Sequence, residues 1–257
     1  MKLAKLVALS CTALSLAMAQ AQAAPLKVGI GTESYPPFAV PDANGQYSGW
    51  EIDIANEICK QAKLECEIVA TAWDGIIPSL VAGKVDIIAA SLSITDERSK
   101  VIDFSNKYYQ SGASLAVAAG SDITPTAESL AGKKIGVQSG SIHQSYVLKH
   151  FKDAEIKEYQ TQDEANQDLF SGRIDATLAD ATVLGEFLTT REGELCCSSA
   201  GLVKNDEAIL GKGIGFGLRK GNDELKAKLD QAIVDIRQNG TYDKITNNYF
   251  NFNIYGE

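Results

Sequence analysis

Residues 79 to 91 read Ser79-Leu-Val-Ala-Gly-Lys-Val-Asp-Ile-Ile-Ala-Ala-Ser91, and residues 168 to 180 repeat the design as Asp168-Leu-Phe-Ser-Gly-Arg-Ile-Asp-Ala-Thr-Leu-Ala-Asp180. Each begins as a helix end, turns at a glycine followed by a basic residue, enters a strand at a hydrophobic-Asp pair, and leaves it on a polar residue eight positions after the glycine. A second echo lies upstream of each, Lys27-Val-Gly-Ile30 and Lys134-Ile-Gly-Val137, and both are followed by polar loops. The matching order predicts two α/β lobes of similar architecture. Each lobe would present polar residues at the carboxyl ends of its strands, where open α/β sheets bind ligands.

The first strand exit continues as Ser91-Leu-Ser-Ile-Thr-Asp-Glu-Arg98. Ser91 and Ser93 carry hydroxyls that can donate to an anion, Thr95 can cap a following helix, and Arg98 offers a planar fork suited to a carboxylate. Two readings stay open on these eight residues: an anion clamp, or a capped surface helix with a solvated arginine. Asp180, at the equivalent exit, is either a ligand contact or the N-cap of a helix over Ala181-Thr-Val-Leu184.

Composition narrows the function classes. Met1-Lys-Leu-Ala-Lys5, an apolar stretch from Leu6 to Ala19 and Ala21-Gln-Ala23 read as a secretory signal peptide over residues 1–23, too short for a membrane anchor. Lipid anchoring at Cys11 is the weaker reading, because Ala8 stands where leucine is usual. The whole chain carries a net charge of −9, and loses Lys2 and Lys5 with the leader, so nucleic acid and anionic membrane surfaces are poor partners. Four cysteines remain after the leader. Cys59 and Cys66, at a helix end and a strand start, are expected to form a short-loop disulfide in an oxidising compartment. Cys196 and Cys197 are adjacent, and free thiols, a vicinal disulfide and pairing between chains all stay open. With only His143 and His150 and no Cys/His ligand spacing, no metal or other cofactor is expected.

Along the chain, Lys27 to Gly31 reads as a strand and Thr32-Glu-Ser-Tyr-Pro-Pro-Phe38 as the loop leaving it. Ile52, Ile54, Ala55, Ile58 and Ala62 make one face of a helix starting at Trp50, and Glu67 to Ala70 a second strand. Ile76, Ile77, Leu80 and Val81 form the next buried helical face, after Trp73-Asp-Gly75. Phe104 to Tyr109 and Ala113 to Ala119 read as a strand crossing between lobes, and Gly213-Ile-Gly-Phe-Gly-Leu218 as the return crossing. Leu225, Leu229, Ile233 and Ile236 line a helix stopped at Asn239-Gly240, and a last helix is expected from Thr241 to about Tyr249.

With these residues placed, the chain resembles the periplasmic solute-binding proteins for polar amino acids, nearest the lysine/arginine/ornithine and histidine group. The resemblance rests on Ser-Tyr-Pro-Pro-Phe at 34 to 38, Trp-Asp-Gly-Ile-Ile-Pro-Ser-Leu at 73 to 80, the Ser91 to Arg98 stretch, Gly-Val-Gln at 136 to 138 and Asn-Gly-Thr-Tyr-Asp-Lys at 239 to 244. It implies an α/β clamshell of two lobes, each a mixed sheet flanked by helices, joined by two hinge strands. Lobe 1 would be residues 24–111 plus 212–257, and lobe 2 residues 112–211. By resemblance, Arg98 would hold a ligand α-carboxylate, helped by Ser91, Ser93 and groups at Ser141 and Ile142, where a second-lobe helix starts. Asp180 would bind the α-ammonium, and Tyr35 and Trp73 would sandwich the ligand side chain. For these two aromatics core packing is the usual fate; their place in polar loops favours the cleft. A Cys59–Cys66 disulfide fits the same group.

Specificity is argued from the loop before Tyr35. Basic-amino-acid members carry an acid three residues before this tyrosine; here that position is Thr32, and Glu33 lies two before. Glu33 would reach a guanidinium or ammonium group, or else be an exposed loop charge, while flat faces at Tyr35 and Trp73 suit cation stacking. The segment from Gln138 to His143 resembles members that bind arginine or ornithine, and the Trp73 segment is also similar to opine binders. The expected ligands are therefore arginine or ornithine first, opines second and a neutral polar amino acid such as glutamine third. Expected partners are that amino acid and the inner-membrane permease subunits of an ABC importer, met in the periplasm by a monomer. Two rivals share the fold: exported cyclohexadienyl dehydratases, for which Glu33 or His143 would be the acid or base, and sensor input proteins. The chain has no Gly-x-Ser-x-Gly, P-loop or nucleophile-base signature, so it is not expected to be an enzyme.

Overall fold

The two echoed segments fold alike. In the computed structural model, which describes residues 24–256 and so leaves the expected leader outside the described residues, Asp86 and Asp175 occupy equivalent positions. Asp86 accepts the N–H of Lys27 at 3.0 Å and donates its own N–H to Lys27 O at 2.8 Å; Asp175 accepts from Lys134 at 2.7 Å and donates to Lys134 O at 2.9 Å. The hydrophobic-Asp pair thus clips the start of one strand to the start of its parallel neighbour. The preceding glycines need a positive φ to make the turn, 71° at Gly83 and 68° at Gly172, which explains the residue type at both places.

The first part of the chain runs β1 (Leu26–Gly31), a small hairpin of β2 (Val40–Pro41) and β3 (Tyr47–Ser48), α1 (Trp50–Gln61), β4 (Cys66–Thr71), α2 (Ile76–Val81), β5 (Ile87–Ile88) and β6 (Ile102–Tyr109). The middle runs β7 (Ala113–Ala118), α3 (Ala127–Leu130), β8 (Lys134–Gln138), α4 (Ile142–His150), β9 (Glu155–Tyr159), α5 (Gln162–Phe170), β10 (Ala176–Asp180), α6 (Ala181–Thr189), α7 (Arg191–Cys196), β11 (Cys197–Leu202) and α8 (Glu207–Leu210). The end supplies β12 (Ile214–Arg219), α9 (Asp223–Gln238) and α10 (Thr241–Thr246). These strands build two mixed five-stranded sheets, in the orders β4-β1-β5-β12-β6 and β11-β7-β10-β8-β9. The architecture is the expected α/β pair of lobes with helices on the sheet faces.

Period-two alternation fills both faces of the second sheet. Leu115, Val117, Ala176 and Leu178 pack with Tyr146 and Val147 of α4, whereas Ala116 and Ala179 face Leu169 of α5 and Leu184 and Phe187 of α6. In the first lobe, Ile54 and Ile58 of α1 meet Leu229, Ile233 and Ile236 of α9 over one face, and Ile76 and Leu80 of α2 cover the other. Most residues read from periodicity as helical faces are therefore core, but Val81, expected on the buried face of α2, is exposed at the helix end.

The crossings differ from the sequence reading. Tyr109 ends β6 in the first sheet and Ala113 opens β7 in the second, so the passage is three residues long and not a continuous strand. The segment Gly213 to Leu218 belongs to the first sheet, where β12 pairs antiparallel with β5 and β6; the return passage precedes it. Gly112 O accepts from Ala181 N at 2.7 Å and Gly213 O from Ile94 N at 2.8 Å, bracing both passages. The last helix closes at Thr246, three residues short of expectation, and the tail returns Ile254 O to Gln110 N beside the first passage. Cys59 and Cys66 are disulfide-bonded, joining α1 to β4. Cys196 and Cys197, whose state the sequence left open, form a vicinal disulfide at the α7 and β11 junction. Among the described residues no helix is long and apolar enough to cross a membrane.

Candidate functional site

The carboxyl ends of β1, β5, β8 and β10 converge on one cleft between the sheets, with about 640 Å³ of space between its atoms, open solvent included. All ten residues singled out in the sequence line it: Glu33, Tyr35, Trp73, Ser91, Ser93 and Arg98 from the first lobe, and Ser141, Ile142, His143 and Asp180 from the second. The two echoed exits, at Ser91 and Asp180, stand on opposite walls.

Arg98 reaches the cleft from the turn after β5. Thr95 Oγ1 accepts the Arg98 N–H at 3.2 Å, a turn contact and not the helix cap expected of it, because only a 3-10 turn over Arg98–Lys100 follows and Glu97 stands at its start; Arg98 Nη1 donates to Ser93 O at 3.1 Å. The guanidinium carbon lies 5.4 Å from the centre of the Trp73 ring. Burial lowers its pKa to about 10, with the negative charge of Asp180 acting the other way. Arg98 is therefore a charged, largely desolvated fork of donors, and not a solvated surface arginine.

Asp180 is only 5% exposed. It stands at the N-cap position of α6, yet its side chain makes no cap hydrogen bond. Oδ2 instead accepts the Tyr35 hydroxyl at 2.7 Å, across from the other lobe, and Oδ1 lies 3.5 Å from His143 Nε2. The capping alternative fails on this geometry. Among the described residues no ion pair joins Arg98 to Asp180, so two opposite charges face one cleft without neutralising each other. Each is held by hydrogen bonds but lacks an opposite full charge of its own lobe, and a zwitterion spanning both would supply one to each.

Glu33 turns inward. Its Oε1 accepts the Trp73 N–H at 3.2 Å, which fixes both residues on the cleft wall. On the opposite wall, Ser141 caps α4: its hydroxyl accepts from Gln144 N at 3.1 Å and donates to Gln138 O at 2.6 Å. The first-turn N–H groups of α4 have no intrahelical acceptors, and Ile142 and His143, which carry two of them, line the cleft.

Ser91 departs from expectation. Its N–H donates to Glu51 Oε1 at 2.8 Å and its hydroxyl to Glu51 Oε2 at 3.2 Å, so both donors are committed to a neighbouring carboxylate. Ser91 also has a φ of 51°, a left-handed conformation that costs a serine of order 1–3 kcal/mol unless held in place. Glu51 holds it. This carboxylate, 1% exposed on α1, also accepts the Tyr108 hydroxyl, and burial raises its pKa against the lowering effect of those hydrogen bonds.

Sequence reading missed Glu51, along with Gln138, treated only as part of a segment, and Gln162, which also line the cleft. The signal at Glu51 was present: an acid directly after Trp50, on the apolar side of an amphipathic helix. Gln162 Nε2 donates to Asn166 and Thr177, each at 2.9 Å, a buried network that no local pattern announces.

Comparison with known proteins places this geometry. Residues 26–252 match the family described as bacterial extracellular solute-binding proteins, family 3. The chain is 41% identical over 247 residues to the lysine/arginine/ornithine-binding periplasmic protein of Escherichia coli (strain K12), covering 95% of each chain. An ancestral arginine-binding protein bound to arginine superposes with a TM-score of 0.79 at 36% identity, covering 88% of this chain and 98% of that one. An ancestral amino acid-binding protein described as a precursor of cyclohexadienyl dehydratase superposes at 0.77 with 32% identity, covering 88% and 95%.

Proposed function

This chain belongs to the bacterial extracellular solute-binding proteins, family 3, and from that premise we propose that it captures a cationic α-amino acid, arginine or ornithine first, between its two lobes. The observation that carries the reading is the pair of opposite charges, half-buried Arg98 and buried Asp180, which face one cleft from different lobes with no ion pair between them among the described residues. A ligand α-carboxylate on the Arg98 fork and α-ammonium on Asp180 would bind both walls at once, and closure follows from that double contact. The ligand side chain would run between Tyr35 and Trp73 toward Glu33, where a guanidinium meets two flat faces and a carboxylate. The carboxylate would gain further donors from the start of α4 at Ile142 and His143. In this reading lobe 2, residues 112–211, closes on lobe 1, and the loaded protein delivers its ligand from the periplasm to the permease of an ABC importer.

The E. coli relative's ligands agree with the acidic end of the cleft; because the ancestral arginine-binding protein is matched both with arginine bound and with glutamine bound, the ranking of arginine first rests on Glu33 and the two aromatic faces. The dehydratase reading finds support only in the likeness to that enzyme's precursor and in the imidazole of His143.

The test is a thermal-shift titration of protein freed of ligand by unfolding and refolding, against arginine, ornithine, lysine, histidine, glutamine and octopine. Ligand at about 100 times its dissociation constant adds roughly 2.7 kcal/mol of stability, enough to rank candidates. A saturable shift confined to the basic compounds is expected. A shift with none of them removes the reading, and turnover of a cyclohexadienyl substrate would replace it.

A further inference from the structure

Capture of a zwitterion engages Arg98 and Asp180 but leaves one buried nitrogen without a task. His143, in the first turn of α4, is 6% exposed, and its Nε2 is buried without a hydrogen-bond partner. That nitrogen lies 3.5 Å from Asp180 Oδ1, while the Tyr35 hydroxyl occupies Oδ2. Oδ1 is thus the side of the carboxylate open to a cation, and two cations can claim it: a ligand ammonium, or the imidazolium of His143.

We propose that His143 couples ligand capture to release of a proton. Neutral imidazole leaves Oδ1 to the ligand ammonium; imidazolium takes that oxygen itself and repels the incoming cation. When a cationic ligand enters a protonated cleft, the Nε2–H bond breaks, its electron pair stays on the imidazole nitrogen, and the proton passes to solvent buffer. The inference rests on the binding reading above and adds a proton to it: any ligand that brings its α-ammonium to Asp180 meets the competition.

The groups facing the imidazole are few. Asp180 comes from the end of β10, Tyr35 and Glu33 from the loop after β1, Glu51 from α1 and Arg98 from the turn after β5. On the other elements packed against α4, the side chains of Lys134, Glu155, Glu158 and Glu207 are exposed, Lys157 is half-buried and paired with Glu155, and the Tyr159 hydroxyl is given to Asp168. Asp206 engages Lys149 and His150 at the far end of α4. Of the acids in the cleft, Asp180 alone lies within ion-pair distance of His143 among the described residues, 3.5 Å from Nε2. Glu51 is held by Ser91 and Tyr108, and Glu33 by the Trp73 N–H.

The experiment is calorimetric titration of the mature protein with arginine at pH 5.0 to 8.0, repeated near pH 6.5 in phosphate and in Tris, whose ionisation enthalpies differ. For the wild type, the dissociation constant should rise on the acid side by up to about tenfold per pH unit, the slope for one linked proton, and the buffer dependence should show proton release. His143→Gln, whatever its affinity at pH 8.0, should give a flat profile and no buffer dependence. A flat wild-type profile, proton uptake, or a His143→Gln variant that keeps the wild-type slope overturns the inference while leaving arginine capture standing. Should His143→Gln fail to fold, the sign of the wild-type buffer dependence decides alone: release supports the coupling, and uptake or no change overturns it. Absence of saturable binding at any pH overturns the binding reading and the coupling together.

Discussion

The Tyr35 hydroxyl donates to Asp180 Oδ2 at 2.7 Å, tying the loop after β1 in one lobe to the start of α6 in the other. Burial, reinforced by the charge of Asp180, pushes the Tyr35 pKa well above the ordinary phenol range, so the group stays a donor throughout the working pH range. The bond is therefore a latch between lobes. Tyr35→Phe keeps the ring and deletes the donor. Hydrogen bonds to charged groups contribute about 1.5–3 kcal/mol, so arginine should bind roughly ten- to a hundredfold more weakly, chiefly through faster release. Calorimetry with stopped-flow dissociation measures both. An unchanged release rate would mean that the latch does not hold the closed state.

Glu33→Gln separates charge from architecture. Glutamine retains an oxygen to accept the Trp73 N–H, which the carboxylate accepts at 3.2 Å, and so leaves that wall in place. Arginine and ornithine should lose about tenfold or more in affinity, whereas glutamine binding should change less than about twofold. Equal losses for neutral and basic ligands, measured by calorimetry, would remove Glu33 from the specificity argument. Glu33→Ala is the less informative change, because it also orphans the Trp73 N–H.

The fold was legible because its signals are local. The turn glycines Gly83 and Gly172, the hydrophobic-Asp pairs and the period-two runs of β7 and β10 each specify their own element, and their repetition specifies two lobes. Ser91, Arg98 and Asp180 were legible because strand exits in such sheets point at ligands, whereas Tyr35, Trp73, Ser141 and Ile142 were placed by the family resemblance. What stayed hidden depends on contacts distant in sequence. Glu51 and Ser91 are 40 residues apart, and nothing in the serine stretch shows that its first hydroxyl is already taken. The free side of Asp180 is likewise visible only once Tyr35, 145 residues away, is in place.

Arg98 predicts a substitution series. A lysine supplies one point charge, and cannot donate to Ser93 O while holding a carboxylate with two parallel bonds as the guanidinium can. Arg98→Ala should abolish detectable binding of every α-amino acid, and Arg98→Lys should weaken it by roughly a hundredfold. Burial lowers the Arg98 pKa only to about 10, so the guanidinium carries its charge throughout the range in which an α-amino acid is a zwitterion. Retained binding in Arg98→Ala, read by equilibrium dialysis, would sink the carboxylate assignment.

Reduction of the Cys59–Cys66 bridge should cost stability more than binding. The bond ties the end of α1 to the start of β4, away from the cleft. A short closed loop restricts the unfolded chain by roughly 2–3 kcal/mol. The double Cys→Ser variant should unfold at lower denaturant by about that amount, with arginine affinity within about threefold of wild type. A large loss of affinity without loss of stability would reverse this assignment.

Glu51 sets the last prediction. Its carboxylate accepts the N–H and hydroxyl of Ser91 and the hydroxyl of Tyr108, and thereby holds Ser91 at a φ of 51° beside the cleft. Glu51→Ala strands those buried donors and should destabilise the protein by about 2–4 kcal/mol in denaturant unfolding, with weaker ligand binding as the Ser91 turn relaxes. The pH dependence has a definite sign. Burial raises the folded pKa of Glu51 above its unfolded value, so over the interval between them the native state binds more protons than the unfolded state. Stability from this group therefore rises as the pH falls through the folded pKa, and is lost again as the pH rises through it. Glu51→Gln cannot titrate and lacks that contribution. Unfolding free energies measured from pH 7 downward should thus show wild type gaining on Glu51→Gln as the solution is acidified toward the ordinary carboxyl range. A gap that shrinks on acidification would mean that the hydrogen bonds from Ser91 and Tyr108 outweigh burial and keep Glu51 an anion, and the charge would then be part of what fixes the turn.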